Sequence, residues 1–278
     1  MNTASISHHS GSEWPASTFE VIPPSRTARP LVAHVPHAST IIPSEVRAEL
    51  LIDDRELADE LHRLTDWYTD DLFAWLTDQG ATRFINSLSR LVLDPERFLD
   101  DAEEPAAAVG QGVVYVRGSR GQPLRRPDAE LRSRRIRDLY LPYHAALDEV
   151  VARTLEEHGS CTLLDCHSFP SRPLPSEVDQ STDRPDVCIG TDPFHTPTDL
   201  ATSVERAFVG EGFRVKRDTP FSGAFVPSGS YGRDRRIRAL MIEVRRDLYM
   251  DETTTERRPD YEIVKAAIER AIMRGLVK

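Results

Sequence analysis

The run Ser160-Cys-Thr-Leu-Leu-Asp-Cys-His-Ser168 constrains this chain most. Thr162 to Leu164 form a short apolar segment that stops in Asp165-x-His167, followed by Pro170 and the loop-rich residues 171–186. A short apolar run bounded by turn signals reads as a buried strand. A buried strand delivering Asp and His at its C-terminal end fits the rim where open α/β sheets bind ligands. Two more stretches share the plan. Leu31-Val-Ala-His-Val-Pro-His37 is an apolar run ending in His37, and Ala239-Leu-Met-Ile-Glu-Val-Arg245 carries Glu243 near its end.

Between these runs, helical periodicity alternates with strand-like segments. Helices are expected over 43–51, 53–77, 128–157, 197–210 and 260–274. Shorter strands are expected over 81–87, 113–116, 186–190 and 213–216. Pro142 should break or kink the 128–157 helix. Gly118-Ser-Arg-Gly121 reads as a turn or flap. Alternation of this kind predicts an α/β fold: one domain, with a mixed, mostly parallel sheet and helices on both faces. Residues 1–29, polar and rich in Ser and Pro, are expected to form an arm, and residues 30–278 the single folded domain.

Length and composition agree. The chain has 278 residues, 39% of them hydrophobic and 29% charged, as in a globular protein. No apolar run reaches the length of a membrane span, and the N-terminus lacks the basic and apolar regions of a signal peptide. A cytoplasmic location is expected. A net charge of −10 argues against nucleic acid as partner. The three cysteines, Cys161, Cys166 and Cys188, are expected to be buried reduced thiols. The arginines at 125, 126, 132, 134, 135 and 137 are expected on a solvated helix face.

A catalytic zinc takes three protein ligands and keeps one position open. His37 and His167 supply two, each at a strand end. Asp66 is the expected third, with Asp70 one helical turn later as competitor. Asp165 shares a strand face with His167 and is placed to orient its ring. Glu243, alone among apolar neighbours, is a general-base candidate; its bland alternative is a salt bridge to Arg245 or Arg246. Arg90 is the expected anchor for a substrate carboxylate, with Asn86, Arg97 and, more weakly, Arg233 as further substrate contacts. Asp94 and Arg97 are equally an ion pair that holds their loop. Cys166 faces away from His167 along the strand, which disfavours a thiol dyad. No Gly-x-Ser-x-Gly elbow, P-loop or Gly-x-Gly-x-x-Gly is present.

The ordered set Val35-Pro-His37-Ala-Ser, Thr65-Asp66-Trp67-Tyr68, Ser89-Arg90 with Leu93-Asp94-Pro-Glu-Arg97, Pro142-Tyr143-His144, Asp165-Cys-His167-Ser168, Pro220-Phe221-Ser-Gly223 and Ile242-Glu243-Val-Arg245 resembles the N-formylglutamate amidohydrolase family. The resemblance covers roughly residues 30–250. It implies a zinc-carboxypeptidase-like (phosphorylase/hydrolase-like) fold related to aspartoacylases. It also implies one zinc per chain and hydrolysis of a small anionic N-acyl amino acid by metal-activated water. By position, His37, His167 and Asp66 would hold the metal, Glu243 would be the base and Arg90 would grip the substrate carboxylate. Asp70 and His144 fall among the supporting residues. The sequence departs from the family pattern at Ser39, at Ser222-Gly223-Ala224 and at Asp94-Pro-Glu-Arg97. The rival readings are a zinc carboxypeptidase acting on peptides or cell-wall fragments, and a non-catalytic binding protein on the same fold. The pattern specifies no oligomeric state.

Overall fold

The computed structural model describes Trp14, Pro15 and residues 17–276. Seven strands form one sheet: β1 (Phe19–Ile22), β2 (Leu31–Val35), β3 (Thr82–Asn86), β4 (Cys161–Phe169), β5 (Val187–Gly190), β6 (Val215–Arg217) and β7 (Ile237–Arg245). Their spatial order is β1-β3-β2-β4-β7-β5-β6. The pairs β2–β3, β2–β4, β4–β7 and β5–β6 run parallel; β1–β3 and β5–β7 run antiparallel. The expected mixed, mostly parallel α/β sheet is present. Phe19–Ile22, expected within an arm, is instead the edge strand of this sheet. The rest of the expected arm that precedes residue 14 lies outside the described residues.

The helices are α1 (Ser44–Glu49), α2 (Asp54–Leu64), α3 (Thr69–Leu72), α4 (Ala129–Arg135), α5 (Leu141–His158), α6 (Thr198–Gly210) and α7 (Tyr261–Leu276). One sheet face presents Ala33, Val35, Leu164, Cys166, Leu240, Ile242 and Val244 to α6, α7 and the segment 72–76. The other presents Val32, Leu163, Ala239 and Met241 to Tyr143, Leu147, Val150 and Val151 of α5. Strand alternation puts each set on its own face, so helices cover both.

The expected helix over 53–77 is broken. The first part starts well: Asp53 accepts from the Glu56 N–H and Glu56 from the Asp53 N–H, a reciprocal cap. The helix then stops because the Asp66 N–H donates to the His37 carbonyl, 3.0 Å away. Thr65 is extended and Tyr68 adopts φ 65°, so a four-residue step, 65–68, separates α2 from α3. That long-range bond is invisible to local periodicity, and it swings Asp66 inward. Pro142 does interrupt the second long helix: a π-turn over Ile136–Tyr140 separates α4 from α5 and absorbs the missing donor. Residues 113–116 form no strand; their apolar side chains fill the pocket between loops, with Val113 and Val114 against Val46 and Tyr140.

Candidate active site

The face that packs on α5 changes character along each central strand. Cys161 and Leu163 of β4 are followed by Asp165 and His167; Ala239 and Met241 of β7 by Glu243; Val32 of β2 by His34. The parallel register sets His34 beside Asp165 and His167 beside Glu243. His37 follows β2 directly. Its loop is fixed by Asn86, whose side-chain amide donates to the Pro36 carbonyl at 2.9 Å and accepts from Leu88 N–H at 3.1 Å. Asn86, expected to contact substrate, is thus committed to backbone and positions the loop that carries His37.

Three donor atoms converge. His37 Nδ1 lies 3.3 Å from His167 Nδ1 and 3.7 Å from Asp66 Oδ2; Asp66 Oδ2 lies 3.0 Å from His167 Nδ1. Ligand atoms of a tetrahedral centre with bonds of about 2.0–2.1 Å sit about 3.3 Å apart, so this triangle has the size of one face of such a centre. The opposite ring nitrogens face carboxylates. His37 Nε2 meets Asp94 Oδ1 at 3.0 Å, and His167 Nε2 meets Asp165 Oδ1 at 3.0 Å. A carboxylate on Nε2 keeps the hydrogen there and leaves the Nδ1 lone pair free, the usual outer support of a metal-binding histidine. Two further sets, His37 with Glu96 and His167, and His34 with Glu96 and Asp165, also bring donor atoms together. In the first of these, the Glu96 oxygens approach Nε2 of His37 and His167, the atoms that Asp94 and Asp165 also hold.

Electrostatics reinforce the cluster. Burial favours neutral Asp66, but His167, His37 and Arg246 hold its carboxyl well below the usual range. Burial likewise disfavours charge on His167; Asp165, Glu96 and Asp66 overcome this and raise it. Arg246 fixes Asp66 from behind, donating to Asp66 Oδ1 and to the Ser168 carbonyl at 3.0 Å each, and to the Arg63 carbonyl at 2.7 Å.

Glu243 is 8% exposed. Its Oε2 is buried with no hydrogen-bond partner among the described residues. Neither salt bridge of the alternative reading forms, since Arg246 is taken by Asp66 and Arg245 by Asp186 and Asp247. Burial pushes the Glu243 carboxyl up to about 7, with His167 pulling against it. That range suits a proton carrier at neutral pH.

On the other flank, Asp94 is fully buried and accepts from Tyr115 Oη (2.6 Å) and Arg90 Nη2 (2.8 Å). Arg97 Nε stands 3.4 Å from the same carboxylate, so the loop-holding ion pair exists. Arg90 Nε donates to Tyr115, and its Nη1 is 4.0 Å from Asp66 Oδ1. His144 donates from Nε2 to the Pro95 carbonyl and accepts at Nδ1 from Ser228 N–H. Burial lowers it to about 4, so it is a neutral clamp on the 94–97 loop.

Several expectations fail here. Asp70 is exposed, one turn past the break, and cannot compete with Asp66 or support it. Arg233 is exposed and donates to the Gly229 carbonyl; it is not brought to the cluster. Residues 118–121 are a turn bolted to α2: the buried Glu60 accepts from Ser119 N–H, Ser119 Oγ and Gln122 Nε2. Arg125 and Arg135 are buried rather than solvated. Cys166 lies in the apolar face, its thiol raised by burial, and all three cysteines are buried and free. The sequence reading missed Glu96, His34, Tyr115 and Arg246. Glu96 reaches His167 Nε2 at 3.2 Å and His37 Nε2 at 3.5 Å. His34 bridges Asp165 (2.9 Å) and Tyr143 (2.6 Å). The only sequence signal for either was a charged residue next to a motif.

Known proteins agree with this architecture. A model of the N-formylglutamate amidohydrolase family matches residues 29–250. The chain is 29% identical over 266 residues to an N-formylglutamate deformylase of Pseudomonas aeruginosa, covering 93% of this chain and 95% of that protein. It is 28% identical over 232 residues to the corresponding protein of Pseudomonas putida, covering 81% and 83%. The crystal structure of N-formylglutamate amidohydrolase from Ralstonia eutropha JMP134 matches with a TM-score of 0.77 at 25% identity, covering 93% and 97%. A gene product from Agrobacterium tumefaciens shares the fold, with a TM-score of 0.67 at 18% identity over 92% and 95%. With its family match spanning most of the chain, this protein belongs to the N-formylglutamate amidohydrolase family and is an amidohydrolase acting on a C–N bond other than a peptide bond.

Proposed function

We propose that the protein hydrolyses the amide of an N-formyl amino acid, N-formylglutamate or a close relative, at a zinc held by His37, Asp66 and His167. The observation that carries this reading is the triangle of His37 Nδ1, Asp66 Oδ2 and His167 Nδ1 beside a carboxylate oxygen of Glu243 that has no partner among the described residues. A mixed imidazole and carboxylate donor set suits zinc. Bound there, the ion would polarise the acyl carbonyl and bring the pKa of water toward neutrality.

The chain's own groups do the rest. Asp94 and Asp165 hold the two imidazoles in the tautomer with Nδ1 free, and Arg246 fixes Asp66. Glu243, near 7, takes the proton of the attacking water and passes it to the departing amine. Arg90, with Nη1 turned toward Asp66, holds the α-carboxylate of the amino acid. The surrounding burial keeps bulk water away from the reacting atoms and strengthens each of these contacts.

The test is elemental analysis of the purified protein together with formate release from a panel of N-formyl and N-acetyl amino acids. About one zinc per chain, and release abolished by chelation and restored by zinc, are expected. Metal-free protein that releases formate at full rate would overturn the reading.

A further inference from the structure

Beyond the metal flank, the wall next to Glu243 contains a second buried arginine that the mechanism leaves unused. β5 sets Cys188 beside Glu243, and β4 carries Phe169 two residues past His167 on the same face, about 7 Å further along the strand. The Arg184 guanidinium lies over the rings of Phe169 and Phe221, 5.5 and 5.7 Å from their centroids. The two rings meet edge to face at 5.8 Å. Cys188 Sγ donates to the Phe221 carbonyl at 3.1 Å, which ties Phe221 to this wall.

Arg184 is 2% exposed. Its Nη1 donates to the Pro170 carbonyl and its Nη2 pairs with Glu177. Its Nε is buried with no partner among the described residues, as is Oε2 of Glu243. A buried donor left unpaired costs about 1–3 kcal/mol, and native structures place such groups where something else completes them. The neighbouring arginines are occupied: Arg246 by Asp66, Ser168 and Arg63, and Arg245 by Asp186 and Asp247. Burial lowers the Arg184 pKa, and Glu243 is the strongest of the acids that hold its charge.

Chemistry then orders the substrate. The nitrogen that receives a proton from Glu243 must lie beside Glu243. The α-carboxylate, bonded to the next carbon, stays close to the metal flank and Arg90. A carboxylate at the end of the amino acid side chain reaches further along β4, past the two phenylalanine rings. We propose that Arg184 recognises this side-chain carboxylate and so makes the enzyme select an acidic N-formyl amino acid over its neutral amide. Phe169 and Phe221 flank the methylene stem. The proposal rests on the reading given under Proposed function.

Steady-state kinetics of the zinc-loaded enzyme on N-formyl-L-glutamate and N-formyl-L-glutamine test it. The wild type should favour the acid. R184M should raise KM for N-formyl-L-glutamate by about 10–100-fold, the effect of one lost charged hydrogen bond, and change N-formyl-L-glutamine by about two-fold or less. E177Q removes the structural partner but keeps the guanidinium, so it should retain the wild-type ratio of kcat/KM. A wild type indifferent to the two substrates, an R184M that loses both equally, or an E177Q that matches R184M would each show a loop tether instead and overturn the proposal. If R184M does not fold, R184Q is read by the same ratio. If the wild type cleaves neither substrate, the functional reading fails by itself. Calorimetric titration with L-glutamate and L-glutamine then decides Arg184: weakening by R184M of glutamate alone supports it, and equal weakening or none overturns it.

Discussion

The two faces of the central sheet solve different problems with the same strands. On the face covered by α6 and α7, β4 and β7 show Leu164, Cys166, Leu240, Ile242 and Val244, an apolar centre with Thr162, Arg238 and Ser168 only at its ends. On the face covered by α5, the same strands begin with Cys161, Leu163, Ala239 and Met241 and end with Asp165, His167 and Glu243. The first face buries hydrocarbon and holds the strands in register. The second spends only its first half on packing, and its second half gathers ionisable groups that would each be costly to bury alone. Nearly all of them are paired: Asp66 with His167 and Arg246, Asp94 with Arg90 and Tyr115, Asp165 with His34 and His167. Glu243 is the exception, and it is the group assigned to carry protons. Rigidity on one face allows that exposed tension on the other.

The largest expected effect lies at the ionic end. His167→Ala removes one corner of the donor triangle, so zinc content should fall to near zero and kcat by at least about 1000-fold, while circular dichroism stays that of the folded protein. Retained zinc and rate would break the division of labour just described. The counterpart on the apolar face is Leu164→Ala. Leu164 is wholly buried, and its truncation should cost about 2–5 kcal/mol in denaturant unfolding, with kcat/KM per folded molecule within about two-fold of wild type. A rate loss as large as that of His167→Ala would show that the two faces are not separable.

The apolar face was the legible one. Runs such as Leu163-Leu164 and Leu240-Met241-Ile242 announce strands, and their abrupt ends announce His167 and Glu243. His37 was readable for the same reason. Asp66 was legible as a motif, but the continuous helical pattern of 53–77 hid the break that turns it inward, because a hydrogen bond to the His37 carbonyl makes that break. Glu96, His34 and Tyr115 depend on which loops and strands meet in space, and no local pattern records that. Burial of Arg125 and Arg135 escaped for a similar reason: these side chains reach the Leu91 and Val92 carbonyls across a loop, and Arg135 also pairs with Glu49. Arg233 and Asp70 show the opposite error, charged residues near a motif in sequence that stay at the surface.

Glu243→Gln sharpens the comparison from the stability side. Burial raises the folded-state carboxyl from 4.5 to about 7, so the folded protein holds this proton more tightly than the unfolded chain does. The resulting penalty is absent below about pH 4.5, grows as pH rises, and is complete above about pH 7. A shift of this size corresponds to at most about 3 kcal/mol. The metal-free Gln variant should therefore unfold at higher denaturant than metal-free wild type at pH 8, and the gap should close toward pH 4.5. With zinc bound, its kcat should fall by about 100–10,000-fold at pH 8, and the deficit should shrink toward acid, where the wild-type carboxyl is itself protonated. A variant less stable than wild type at pH 8 would mean that Glu243 has a stabilising partner after all.

The smallest effect belongs to a residue that never meets the metal. Asp165 accepts from His167 Nε2 and from His34 Nδ1 with one oxygen and from Phe225 N–H with the other. Asp165→Asn keeps the shape but replaces one acceptor oxygen by a donor. The amide oxygen can still face His167, though without charge, so the ring becomes a weaker ligand and its tautomer is less firmly held. Zinc affinity, measured by competition with a chromophoric chelator, should drop about 10–100-fold, and saturating zinc should restore most of the rate. His167→Ala should show no such rescue. The contrast between a rescuable and an unrescuable loss separates the residue that orients the ring from the ring itself, and it places the boundary between packing and chemistry on this face one residue pair below His167.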